Sequence, residues 1–141
     1  MTTIAPHRDT VQAFVDCMHG DADEDELSRL LAHDVVMYSP LSDEPTVGRE
    51  AALAAMRTVG AVATDLTYAE ILSGETHHAA HFRLQIADTV VDGMDSILLD
   101  AAGRIAEVTI WWRPLPSGIR MQNHVAHLLG MPPWDLVTQA Q

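Results

Sequence analysis

The sequence predicts an α+β domain with its helices gathered on one face of an antiparallel sheet. Three observations carry this. Apolar residues recur at helical spacing in the first third of the chain and again in one short stretch near its end. Between them, residues 66 to 113 are β-rich runs separated by turns too short for anything but antiparallel hairpins. The length of 141 residues, with 48% hydrophobic and 20% charged, fits one core and one domain spanning 1–141.

Val11, Phe14, Val15 and Met18 fall at i, i+3, i+4 and i+7, one apolar stripe on a helix ending near His19-Gly20. The acidic run Asp21, Asp23, Glu24, Asp25, Glu26 suits the start of a second helix, where negative charge complements the helix dipole, and Leu27, Leu30 and Leu31 supply its buried face. From Asp34 the pattern changes to a short strand, Val35-Val36-Met37-Tyr38, which Ser39-Pro40 stops. Leu41 to Val47 reads as loop. Gly48-Arg49-Glu50 opens a third helix with Ala52, Leu53, Met56 and Val59 on one face and Gly60 as its end.

Strands follow at about Leu66 to Leu72, His78 to Ile86, Val90 to Leu99 and Arg104 to Arg113. A last helix runs from Ser117 as N-cap to Leu129, its stripe formed by Met121, Val125, Leu128 and Leu129, with Gly130 and Pro132 as stop signals. This helix and the tail, about 117–141, complete the domain.

The net charge is −12 and all eight basic residues are Arg, so the surface repels phosphate backbones and anionic lipid. No nucleic-acid or membrane partner is expected. No apolar run reaches the roughly 18 residues a span needs, and Met1 to Pro6 carries no charged segment followed by an apolar one, so a cytoplasmic location is expected. Cys17 is alone, which removes an internal disulfide and any cysteine-based metal site and leaves it a buried inert thiol.

Leu31 to Pro40 followed by Val47 to Ala52, and Val91 to Ile97 with Asp100 to Val108, resemble the strand, loop, Gly-led helix and paired long strands of the nuclear-transport-factor-2-like (NTF2-like) superfamily, in particular its SnoaL-like and ketosteroid isomerase-like members. The similarity covers roughly Arg8 to Arg113. It implies a cone: a curved antiparallel sheet, N-terminal helices on its concave face, a short C-terminal helix, and a mostly apolar pocket between them. Such scaffolds host isomerases, cyclases, hydrolases, dehydratases and proteins without known chemistry. Ketosteroid isomerases use an Asp base with a Tyr and a protonated Asp in the oxyanion hole. By this resemblance the base position falls on Ser39, the tyrosine position on Phe14 and the proton-donating aspartate on Asp95, so the standard steroid-isomerase mechanism is not expected.

Alternation along a strand puts Val91, Gly93, Asp95, Ile97 and Leu99 on one face. An acid among such neighbours should have its charged form disfavoured and its pKa raised, which suits a hydrogen-bond donor or general acid/base. The bland reading is an Asp95 tied to a backbone or Arg partner with no chemistry. Ser39 and Tyr38 stand near the family's base position, and Asp43 or Glu44 in the next loop could replace that base, although loop acids are usually just solvated. The resemblance implies a pocket lined by Phe14, Met18, Met56, Phe82, Leu84, Val108, Ile110 and Trp112, with Ile97 on the same inward face. Trp111 then points outward beside His81, Arg83 and Thr109, a face suited to a homodimer.

His77 and His81 lie about 13 Å apart along a strand, too far to share an ion, and His78 faces the other way. His124 and His127 are a pair without a third ligand, so no metal and no other cofactor is expected. Two functions fit: a cofactor-independent enzyme doing acid/base chemistry on a small hydrophobic or carbonyl-bearing molecule through Asp95, or a non-catalytic binding protein for such a molecule.

Overall fold

In the computed structural model, residues 8–19 and 24–134 are described. The apolar stripe of the first segment folds as α1 (Arg8–His19) and buries Val11, Phe14, Val15 and Cys17. The expectations at Gly20, Asp21 and Asp23, and for the chain ends 1–7 and 135–141, lie outside the described residues. Next come α2 (Glu24–Leu30), β1 (Leu31–Tyr38), β2 (Thr46–Val47), α3 (Arg49–Val62), β3 (Thr67–Ser73), β4 (His77–Ile86), β5 (Thr89–Leu99), β6 (Ile105–Arg113) and α4 (Leu115–Ala126).

The six strands form one sheet in the order β2-β1-β6-β5-β4-β3. β3 to β6 are the expected antiparallel meander. The sheet is nevertheless mixed, because β1 pairs with β6 in parallel. β3 starts antiparallel to β1, and three hairpin reversals bring β6 back to run beside it in the same direction.

Four local expectations are corrected. Leu31 opens β1 rather than closing α2: it pairs with Ile105, and Leu31 and Val35, four residues apart on the strand, are both buried in the core. A two-residue strand, Thr46–Val47, lies in the segment read as loop and pairs with Val36 and Met37. α3 continues through Gly60 to Val62, since one interior glycine costs only about 1 kcal/mol relative to alanine. α4 starts at Leu115 with Pro114 as its N-cap and ends at Ala126, with Pro116 tolerated in the first turn because no helical partner awaits its missing N–H.

α3 is tied to β1 at its first residues. Gly48, at φ 99°, donates its N–H to the Val35 carbonyl (2.8 Å), a left-handed turn that a side chain would strain. The Arg49 guanidinium donates twice to the Leu31 carbonyl, at 3.1 and 2.9 Å. The inner face of the sheet then carries two buried clusters. One gathers α1, α2, α3 and β1 around Val35, Ile97 and Ile105. The other gathers Phe82, Leu84 and Val91 beneath Met121 and Val125 of α4. Tyr68 and Ile110 pack against both, and the candidate site lies at that junction.

Candidate functional site

β5 alternates strictly, with every odd-numbered residue from Val91 to Leu99 buried. Asp95 is therefore turned inward between Ala80 of β4 and Ile110 of β6 and is 4% exposed. Its carboxylate Oδ2 accepts a 2.7 Å hydrogen bond from the hydroxyl of Tyr68, on β3. Among the described residues this is the carboxyl's sole hydrogen-bond partner. Burial, which penalises the charged form, raises the Asp95 pKa to about 7; the Tyr68 hydrogen bond stabilises the anion and pulls the other way. Tyr68 is itself pushed well above its ordinary value, first by burial and then by the negative charge and hydrogen bond of Asp95.

Tyr68 is the residue that the sequence reading missed. It sits at a register shift in β3, between the pairs Tyr68–Phe82 and Glu70–His81, and its backbone N–H donates to His19 Nε2 at 2.9 Å. The His19 ring meets the Tyr68 ring edge-on at 5.2 Å. The last residue of α1 thus holds the strand where the tyrosine turns inward. Phe82 lies 5.6 Å from Tyr68, ring centre to ring centre, and its ring covers Gly93; a Cβ at that glycine would collide with the ring.

Asp95, Tyr68 and Phe82 line a cavity of about 600 Å³. Of the residues expected there, Phe14 and Met18 reach it from α1, Met56 from α3, Phe82 and Leu84 from β4, and Val108, Ile110 and Trp112 from β6. Ile97 does not. It is fully buried in the first core cluster and not at the cavity wall. Ser39 also lines the cavity, where its Oγ accepts the Leu41 N–H at 3.0 Å. Tyr38 is corrected: β1 turns Met37 inward, which leaves Tyr38 outside, 42% exposed and absent from the cavity wall. Glu44 stands exposed at the wall's edge, while Asp43 is exposed and does not line it. Leu128, Leu129 and Met131, beyond α4, add to the wall; Trp134 does not.

On the other face of the sheet Trp111 is 62% exposed, with Thr109 half-buried beside it. His81 and Arg83 are exposed there too, Arg83 paired with Asp92 at 3.1 Å. His78 turns to the buried side, its Nδ1 2.8 Å from Ser73 Oγ, while His77, His124 and His127 are exposed. Among the described residues no three His, Cys, Asp or Glu side chains gather as a metal site would require, and no helix is long and apolar enough to cross a membrane.

No protein-family model and no curated protein matches the sequence. Solved structures do match. A steroid delta-isomerase from Pseudomonas aeruginosa shares 24% identity at a TM-score of 0.75, over 92% of this chain and 98% of that one. An uncharacterised protein with a cystatin-like fold from Silicibacter pomeroyi shares 24% identity at a TM-score of 0.74, over 87% and 88% of the two chains. An NTF2-like protein of unknown function from Cytophaga hutchinsonii shares 14% identity at a TM-score of 0.64, over 82% and 97%. With its N-terminal helices, curved six-stranded sheet and closing C-terminal helix, this chain has the NTF2-like fold.

Proposed function

We propose that this chain is a small-molecule pocket protein acting as a cofactor-independent acid/base enzyme on a small hydrophobic, carbonyl-bearing substrate, in an isomerisation, cyclisation or related step. One observation carries the reading: a carboxyl sits at the wall of an apolar cavity with its pKa raised to about 7, so that its acid and base forms are both populated near neutral pH. Tyr68 donates to Oδ2, which leaves Oδ1 to give a proton to a carbonyl oxygen or take one from the adjacent carbon. Ser39, at the position where the resemblance puts a base, has a hydroxyl too weakly basic for that role, so Asp95 carries both halves of the transfer.

The test is exchange of the α-protons of a panel of small enolisable ketones into D2O, followed by NMR. Catalysed exchange that falls by about 100-fold or more in Asp95→Asn, with ketone binding kept, is the expected result. Equal exchange in both proteins would sink the proposal. The replacement of two family positions, by Ser39 and Phe14, favours a second reading in which the chain binds such molecules without converting them. Binding with no exchange in either protein would select it. The exposed Trp111 supports a homodimer through the outer sheet face, and the acidic surface supports the absence of nucleic-acid and membrane partners.

A further inference from the structure

A buried carboxyl is normally paired with a cation. Asp95 is not. None of the eight arginines lines the cavity, and neither does any described histidine. Several arginines are committed elsewhere: Arg8 to Ser73 and the Ile71 carbonyl, Arg49 to Leu31, Arg57 to Glu24 and Arg83 to Asp92. Besides Asp95, the titratable groups on the described wall are Tyr68, which already donates to the carboxyl, and Glu44 at the edge, a second acid. Among the described residues the cavity therefore holds a buried acid, aromatic rings and no positively charged side chain, in a chain with net charge −12.

We infer that the cavity takes a second class of occupant, a hydrophobic amine whose ammonium pairs with the Asp95 carboxylate beside the rings of Tyr68 and Phe82, and that it rejects anionic ligands. The inference rests on the reading that this cavity is the ligand site. Each part has a physical cause. The ammonium supplies the charge partner that the described residues do not, and aromatic faces attract cations. Phe82 is kept near the carboxyl because Gly93, two residues before Asp95 on the same face, lets its ring lie against the strand. The acidic surface raises the local concentration of cations. A carboxylate or phosphate would lose its hydration with no cation to replace it and would face Asp95 and Glu44. A volume of about 600 Å³ admits a fused-ring skeleton. A carbonyl compound uses the protonated acid as donor, whereas an amine uses the ionised form, so the two classes compete for one carboxyl in opposite charge states.

Calorimetry at pH 8 with three probes of one skeleton, 1-naphthylmethylamine, 1-naphthalenemethanol and 1-naphthoate, separates the possibilities. The amine should bind about tenfold or more tighter than the alcohol, and the alcohol about tenfold or more tighter than the carboxylate. In Asp95→Asn the amine should lose its advantage over the alcohol. If that variant does not fold, the wild-type comparison still decides, together with the shift of the Asp95 carboxyl resonance on adding the amine. An amine no tighter than the alcohol, an advantage that survives in the variant, or a carboxylate equal to the alcohol would overturn the inference and leave the cavity a ligand site. Binding of none of the three would count against both readings.

Discussion

Tyr68 and Asp95 come from strands that are not neighbours: β3 and β5 flank β4, and the 2.7 Å hydrogen bond between them passes over it. Ala80, the β4 residue opposite Asp95, is small and fully buried, which keeps the intervening strand low enough for the two side chains to meet. The bond favours the ionised carboxyl and burial disfavours it; burial wins. Phe at position 68 removes only the favourable part. The Asp95 midpoint in Tyr68→Phe should therefore rise above the wild-type value, as carbon-detected NMR of the carboxyl would show; a lower midpoint would mean that the hydroxyl is not the donor.

The same shift fixes a pH dependence of stability. A carboxyl whose folded pKa is raised holds its proton more tightly in the folded chain, so the stability it contributes is complete below about pH 4 and is lost as pH rises through about 7. The unfolding free energy should fall across that window by an amount on the order of a few kcal/mol. Asp95→Asn should flatten the fall, and a variant as steep as the wild type would place its source elsewhere.

Gly93 and Phe82 share one space. Gly93→Ala should cost about 1–3 kcal/mol, read by chemical denaturation, because the new Cβ meets the Phe82 ring. Pairing it with Phe82→Leu should recover part of the loss; strictly additive costs would show that the two residues do not compete.

Gln122 clips the cavity's far wall. Fully buried on α4, it donates to the Leu41 carbonyl (3.2 Å) and the Pro132 carbonyl (3.0 Å) and accepts the Trp134 N–H (2.9 Å). Gln122→Leu leaves those backbone groups without their partner and should destabilise by roughly 2–4 kcal/mol, with faster amide exchange at Trp134. Unchanged exchange there would contradict the clip.

Trp111 gives the assembly test. Trp111→Glu places a charge on the outer face of β6 and should convert a dimer to a monomer in sedimentation at micromolar concentration, with the melting temperature of the monomer fold otherwise kept. A wild-type chain that sediments as a monomer would remove the proposal at once.

Much of this arrangement is written in local pattern. The alternation of β5 puts Asp95 inside without any knowledge of its neighbours, and that of β6 does the same for Val108. Tyr68 carries no such signal. β3 is an edge strand without a fully buried face, and the register shift beside Tyr68 breaks the alternation that would otherwise mark an inward residue. The hydroxyl also comes from β3, whereas the resemblance directs attention to α1, where Phe14 stands, and to the end of β1, where Tyr38 faces out. The parallel β1–β6 pair is hidden for a different reason: it joins segments some 70 residues apart, and no short-range pattern records which edge of a meander an early strand will take.

Asp95 is a carboxyl kept from water with no cationic side chain beside it among the described residues. The most direct measurement is the titration of the Asp95 side-chain carbon by NMR in the wild-type chain. A midpoint near pH 7 is the result expected; a midpoint near pH 4, where an ordinary solvated aspartate titrates, would contradict it.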